Sequence, residues 1–201
     1  MTITFREPPA AAAQVLQNAV ASLEKPPPGI SFLRTVAPRD IAWSTPHTVY
    51  HLGLDAIESN EGIDAAECVS WRYLSGAALT VPVAADVQLR AEQLVFGGLH
   101  QGPFVNGFSE EVRRASADPE LQAKAYEPRL LQIPALYVVA LWLHEPASTG
   151  DVFIPLRPVN PALEPGRRYS RDQLQAALLQ AATKVRAAPA NDRGTPGTEA
   201  P

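Results

Sequence analysis

The stretch LLQIPALYVVALWLHEPASTGDVFIPL, residues 130–156, is the densest run of bulky apolar side chains in the chain. Its middle part is rich in valine, tyrosine and tryptophan, which are enriched in strands, and no polar position recurs every three or four residues as it would on a surface helix. The run therefore predicts a strand over Ala135–Leu143 that is buried on both faces and forms the centre of the core.

A second strand is expected directly afterwards. A turn-like segment, residues 147–151, separates the first strand from Val152–Leu156, which predicts an antiparallel partner. Pro155 cannot donate a ladder hydrogen bond, so it indicates that this partner lies at the edge of the sheet. The apolar run from Leu130 to Leu143 is shorter than the roughly 20 residues that a membrane span needs. We therefore expect a buried core element and no membrane segment.

Composition narrows the class of protein. A chain of 201 residues with 46% hydrophobic content can bury one good core. Its formal charge of −4 gives no general electrostatic reason to expect nucleic acid or an anionic membrane as a partner. Cys68 is the single cysteine, so an intrachain disulfide is impossible, and the first residues lack a secretory signal pattern. The expected location is the cytoplasm.

Amphipathic helices are predicted towards both ends of the chain. Pro9–Lys25 carries an apolar stripe at helical spacing, and a proline-rich connector follows it. Ser170 and Gln173 form a capping-box pattern at the start of the last helix. These features predict an N-terminal helix with a proline hinge over residues 1–29, an α+β core domain over residues 30–186 that includes the C-terminal helix, and a disordered tail over residues 187–201.

The middle of the chain predicts further short elements. Alternating patterns indicate an antiparallel pair of strands, over Thr48–Ala56 and Val69–Tyr73. Residues 84–96 fit both a strand and a helix and are left open, although a strand is favoured through Val83. Gly97–Phe108 is predicted to be a glycine-rich loop. Two short helices are expected next, the first capped by Ser109 and the second running from Asp118 to about Tyr126 until Pro128 ends it. The expected fold is a single α+β domain with a mainly antiparallel sheet, a central strand near residues 135–143, and covering N- and C-terminal helices.

The glycine-rich loop is the first choice for a site, because it brings backbone amides and an imidazole to an exposed position. Its candidate residues are Gly98, His100 and Gln101. His100 is a candidate base for Cys68, although a free cysteine is more often a packed core residue. The alternative is that His100 acts together with a nearby carboxylate. Arg167, Arg168 and Arg171 are candidate ligands of an anion near the start of the last helix.

Metal and cofactor sites are not expected. His47, His51 and Asp55 are spaced by four, but on a strand such positions stand roughly 13 Å apart, too far to share one metal ion. The sequence contains no dinucleotide, phosphate-loop or metalloprotease motif. We therefore expect neither a metal nor a cofactor.

Three hypotheses for the function remain. The leading one is a non-catalytic cytoplasmic protein that acts through protein–protein contacts, with itself or with a partner, since two amphipathic terminal helices could dock on another surface. The second is a small enzyme of the hydrolase or transferase type that uses His100 with Cys68 or with a nearby carboxylate. The third is a binder of an anion or another small molecule.

Overall fold

The protein is an α+β fold built on one open, mixed sheet. The computed structural model describes residues 2–23, 40–59, 61–76 and 82–187. Its strands are β1 (Thr2–Ile3), β2 (His47–His51), β3 (Glu67–Leu74), β4 (Ala84–Arg90), β5 (Gln93–His100), β6 (Ala125–Ile133), β7 (Val138–His144) and β8 (Val152–Pro155). Its helices are α1 (Ala12–Ala21), α2 (Leu54–Glu58), α3 (Pro103–Ala117), α4 (Pro119–Gln122) and α5 (Arg171–Ala187).

Seven strands lie side by side in the order β5-β4-β3-β2-β6-β7-β8, and β1 pairs with β6. The strands β2 to β5 form one antiparallel meander and β6 to β8 form another. The two meanders meet where β2 runs parallel to β6. The mainly antiparallel α+β architecture expected from the sequence is thus confirmed.

The helices cover both faces of the sheet. On one face, α1 packs on β4 and β5, and α5 packs with α2 over the β6–β8 half. On the other face, α3 packs its Phe108 side against Val49, Leu130 and Leu141. No helix in the described ranges is long and apolar enough to cross a bilayer.

The buried strand predicted over Ala135–Leu143 is present, although it begins later than expected. Strand β7 starts at Val138 because Pro134–Leu136 form a 3-10 turn and Tyr137 takes a left-handed conformation. Strand β8 pairs antiparallel with β7 and lies at the edge of the sheet, as Pro155 indicated. The same apolar stretch also supplies the end of β6, which packs beside β7.

Residues 84–96, whose sequence fits both a strand and a helix, form β4, a turn and the first half of β5. The turn between these strands is Ala91-Glu92, and both residues have positive φ angles, 45° and 64°. The helix-forming residues of this segment are therefore outweighed by cross-strand pairing, which lets Val87 bury completely.

Several boundaries expected from the sequence are wrong. The strand predicted through Ala56 ends at His51, and Leu54–Glu58 is helical. The predicted loop Gly97–Phe108 divides into the end of β5 and the first turns of α3, whose N-cap is Gly102. Ser109 lies inside that helix, because Pro103 suits a first helical position and starts it earlier. Pro128 lies within β6 rather than ending a helix.

The terminal helices confirm the periodicity argument. Leu16 and Val20 of α1 are buried against the sheet. The capping box at α5 is formed reciprocally, since the Ser170 amide donates to Gln173 Oε1 and the Gln173 amide donates to Ser170 Oγ. The proline hinge within residues 1–29 and the tail beyond Ala187 lie outside the described residues, so the three-part division of the chain stays a prediction.

Candidate ligand cleft

A buried ion pair forms the base of the candidate site. Strand register places Arg72 of β3 opposite Asp86 of β4. The guanidinium donates two parallel hydrogen bonds, Nε to Oδ1 at 2.7 Å and an Nη to Oδ2 at 2.8 Å. Asp86 is 4% exposed and Arg72 6%. Fork-to-fork pairing of this kind holds both side chains in one geometry.

His100 extends this pair to the surface. Its Nε2 lies 3.2 Å from Asp86 Oδ2, while its ring remains largely exposed at the end of β5. Burial raises the pKa of Asp86, but the hydrogen bonds from Arg72 and His100 outweigh that effect and hold the pKa well below its usual range. The carboxylate is therefore ionised at neutral pH, and it fixes the orientation of the imidazole.

A cleft of about 290 Å³ opens beside His100. The first turn of α3 forms one wall, and no side chain caps that end of the helix. His51 and Gln132 form another part of the lining and share a hydrogen bond of 2.7 Å. The complete lining comprises His51, Arg72, Asp86, Gln88, His100, Gln101, Gly102, Pro103, Phe104, Val105 and Gln132.

The lining determines which chemistry the cleft can perform. Its polar groups are imidazoles, side-chain amides and the ion pair, and these described lining residues include no hydroxyl, thiol or amine side chain. Asp86 accepts bonds from Arg72 and His100, so little of its acceptor capacity faces a ligand. Hydrogen bonding by donors and proton transfer by His100 are therefore the chemistry that the lining favours.

His47 lies on the same sheet face, opposite Arg72 in the ladder. Its ring stacks on Phe108 with 3.9 Å between centroids, and it is 2% exposed. Burial, helped by the charge of Arg72, lowers the pKa of His47 to about 3. The imidazole is therefore neutral, and its Nε2 has no hydrogen-bond partner among the described residues.

The other residues of the spaced histidine pattern lie in different surroundings. His51 is exposed at the far end of β2, and Asp55 belongs to α2, where it pairs with Arg186. No group of three or more metal-ligating side chains is found within the described parts of the chain.

Cys68 and His100 lie far apart. His100 pairs with Ala84, which pairs with Leu74, whereas Cys68 stands six positions before Leu74 on β3. At about 3.3 Å per residue the two side chains are separated by roughly 20 Å, so they do not form a nucleophile and base pair. Cys68 is exposed rather than packed in the core, and partial burial still raises the pKa of its thiol.

The other candidate residues of the predicted loop Gly97–Phe108 lie close to His100. Gln101 lines the cleft, and Gly98 sits in β5 opposite Asp86 with φ of 129°, a conformation that favours glycine. The carboxylate that lies beside His100 is Asp86.

The three arginines near α5 each pair with carboxylates. Arg167 pairs with Glu164, Arg168 with Asp118 and Glu120, and Arg171 with Asp64 and Asp151. An anion at this place would have to compete with these carboxylates. The three arginine side chains pair with different carboxylates and do not converge on one cavity.

Sequence reasoning missed both partners of the ion pair. The alternation in β4 does place Asp86 on the face opposite Val87, but the pairing with Arg72 depends on hairpin register, which a single sequence does not show. It also missed a second aspartate centre, in which Asp151 accepts hydrogen bonds from Trp142 and Arg171 and lies 3.0 Å from His144 Nδ1.

The fold and the cleft define an α+β protein with an open mixed sheet and a small polar cavity over its β2–β5 half. No family model matches the chain, and no curated protein or solved structure is similar enough to count as a match.

Proposed function

We propose that the protein is a cytoplasmic binding protein whose ligand is a small anion held in the cleft. The observation that carries the proposal is the saturation of Asp86 by Arg72 and His100. Because the carboxylate is already occupied, the cleft offers a ligand mainly hydrogen-bond donors. The lone exposed cysteine and the lack of any possible intrachain disulfide support the cytoplasmic location.

Electrostatics favour the same class of ligand. The charges of Arg72 and Asp86 offset each other, so neither sign dominates at the base of the cleft. The helix dipole of α3 then adds partial positive charge at its amino end, and the side-chain amides add N–H donors. His100 donates a second N–H to the cleft in its doubly protonated form, since its Nε2 already faces Asp86. A cavity of about 290 Å³ is at the small end of ligand sites, which indicates a compact molecule such as a phosphate or a dicarboxylate.

Calorimetric titration with inorganic phosphate and with succinate tests the proposal. We expect one of these anions to bind and to raise the melting temperature, because a ligand bound only by the folded state stabilises it. Replacing His100→Asn should weaken that binding by about tenfold, which corresponds to the loss of one good hydrogen bond.

The matched control is His144→Asn. His144 also sits beside a buried aspartate, 3.0 Å from Asp151, but it does not line the cleft. The control should leave binding unchanged. Equal loss in both variants, or no binding of either anion to the wild-type protein, would contradict the proposal.

The contact between His100 and Asp86 favours a second candidate, an enzyme that transfers protons. A carboxylate that orients an imidazole is an arrangement suited to general acid–base catalysis, and His100 is exposed enough to reach a substrate. In this reaction the unprotonated nitrogen of His100 would take a proton from carbon next to a carbonyl and later return one from solvent.

Nuclear magnetic resonance in deuterated water separates the two candidates. With pyruvate as the probe, the enzyme should catalyse exchange of the methyl protons, and the His100→Asn variant should lose that exchange. If the methyl protons exchange no faster than in buffer without protein while the anion still binds, the enzyme candidate is rejected and the binding function is kept.

A further inference from the structure

We propose that two copies of this chain associate through the outer edge of β5, and that this contact forms a continuous sheet across the dimer. Strand β5 ends the order of the sheet, so on its far side no described strand pairs with it. It is eight residues long, QLVFGGLH, with neither a proline nor an Asp, Glu, Lys or Arg. A long edge strand without charges is a template for pairing with another strand.

The opposite edge of the sheet provides the contrast. Strand β8 has four residues and ends in Pro155, which removes one ladder donor. Its Phe153 also exchanges two backbone hydrogen bonds of 2.9 Å with Tyr169, which covers part of that edge. Within the described residues, the β8 edge is therefore partly covered, whereas no strand pairs with the outer edge of β5.

A second copy fits this edge for geometric reasons. A two-fold axis beside β5 generates an antiparallel pair of identical strands, which is the self-complementary arrangement of a symmetric dimer. If the whole strands overlap, Gln93 of one copy lies opposite His100 of the other. Gly97 is the extra residue of a bulge, since Asp86 faces Gly98 while Val87 faces Phe96, and it falls next to the axis. The ladder would then form in two halves on either side of the bulge.

The ends of the strand complement each other in this arrangement. Leu94, near the hairpin end of β5, is half-buried and would lie opposite Leu99 of the second copy, where it would gain apolar cover. Glu92 of one copy would approach His100 of the other, so opposite partial or full charges meet. Glu92 would thereby place a carboxylate at the rim of the other copy's cleft, where it competes with an anion for His100; the dimer itself does not depend on any ligand.

Light scattering over the micromolar to millimolar range tests the dimer, with hydrogen exchange of the β5 amides as a second measurement. Wild-type protein should approach twice the monomer mass as its concentration rises, and β5 amides should exchange more slowly in the concentrated sample. Val95→Lys should weaken association by at least about tenfold, because it places a lysine on each copy at the contact.

The matched control is Val152→Lys, which puts the same charge at a half-buried valine of the other edge strand and should leave association unchanged. Gln93→Lys at an exposed position gives a second β5 variant, which decides the matter if circular dichroism shows that Val95→Lys does not fold. A wild-type protein that stays monomeric at every concentration overturns the proposal. Coverage of the β5 edge by another part of the chain would produce that result. A dimer that survives the β5 substitutions, or that Val152→Lys weakens equally, also overturns it.

Discussion

Lowering the pH from about 7.5 to about 5 should reduce the free energy of unfolding by about 2 kcal/mol through His47 alone. Burial lowers the pKa of this histidine from 6.5 to about 3, with Arg72 adding to the effect. In the unfolded chain the imidazole is free to take up a proton below its ordinary pKa, whereas in the folded protein it stays neutral. Acid therefore favours the unfolded state.

The folded and unfolded pKa values of His47 determine whether acid stabilises or destabilises the protein, and over which pH range. A group whose pKa is depressed by folding contributes its full stability above the unfolded value of 6.5, and it loses that stability as the pH falls towards about 3. At about pH 5 the imidazole of the unfolded chain is almost fully protonated. The pH then lies about 1.5 units below the unfolded pKa, and at about 1.36 kcal/mol per unit the free energy of unfolding has fallen by about 2 kcal/mol. Asp86 and Asp151, whose pKa values are lowered from 3.8, change the stability only at more acidic pH.

Denaturant unfolding at both pH values measures this loss. His47→Phe keeps a ring against Phe108 but has no proton to bind, so the difference between the two pH values should fall below about 0.5 kcal/mol. His51→Phe is the matched control, because His51 is exposed on the same strand, and it should keep the wild-type difference. If His47→Phe retains that difference, or if wild-type protein is equally stable at both pH values, the reasoning is wrong.

Two further results are expected from denaturant unfolding. Asp86→Leu alone should cost about 3–5 kcal/mol because it leaves the Arg72 charge buried without its partner, whereas Asp86→Leu combined with Arg72→Met should recover most of that loss; additive losses would contradict this. Ser170→Ala should cost about 1 kcal/mol by removing the cap of α5, while Ser109→Ala, inside α3, should cost less than half as much; equal losses would show that the cap contributes nothing specific.

The architecture could be predicted because hydrophobic pattern decides which segments are buried. The run around Trp142, the stripe on α1 and the capping box at Ser170 each gave the right element. The predicted ends of strands and helices were wrong where one local sequence signal is compatible with two structures. Glycines at positions 97 and 98 suggested a loop, yet they serve a bulge and an unusual φ angle inside β5.

The site could be predicted only in part. The sequence singles out His100 and Gln101 because an imidazole beside glycines stands out, and both residues line the candidate cleft. Arg72 and Asp86 were missed, since their meaning depends on lying opposite each other in adjacent strands. Cys68 was wrongly joined with His100 because sequence gives no distance between strands.

The parallel contact between β2 and β6 has a consequence for how the chain folds. Each meander brings together neighbours in sequence, so it can form with little loss of chain entropy. Joining them closes a loop that contains three strands and three helices before Val49 can meet Leu130. We therefore expect the docking of the two meanders to be the slow step of folding. A break in the backbone between α3 and α4 should then give fragments that reassociate.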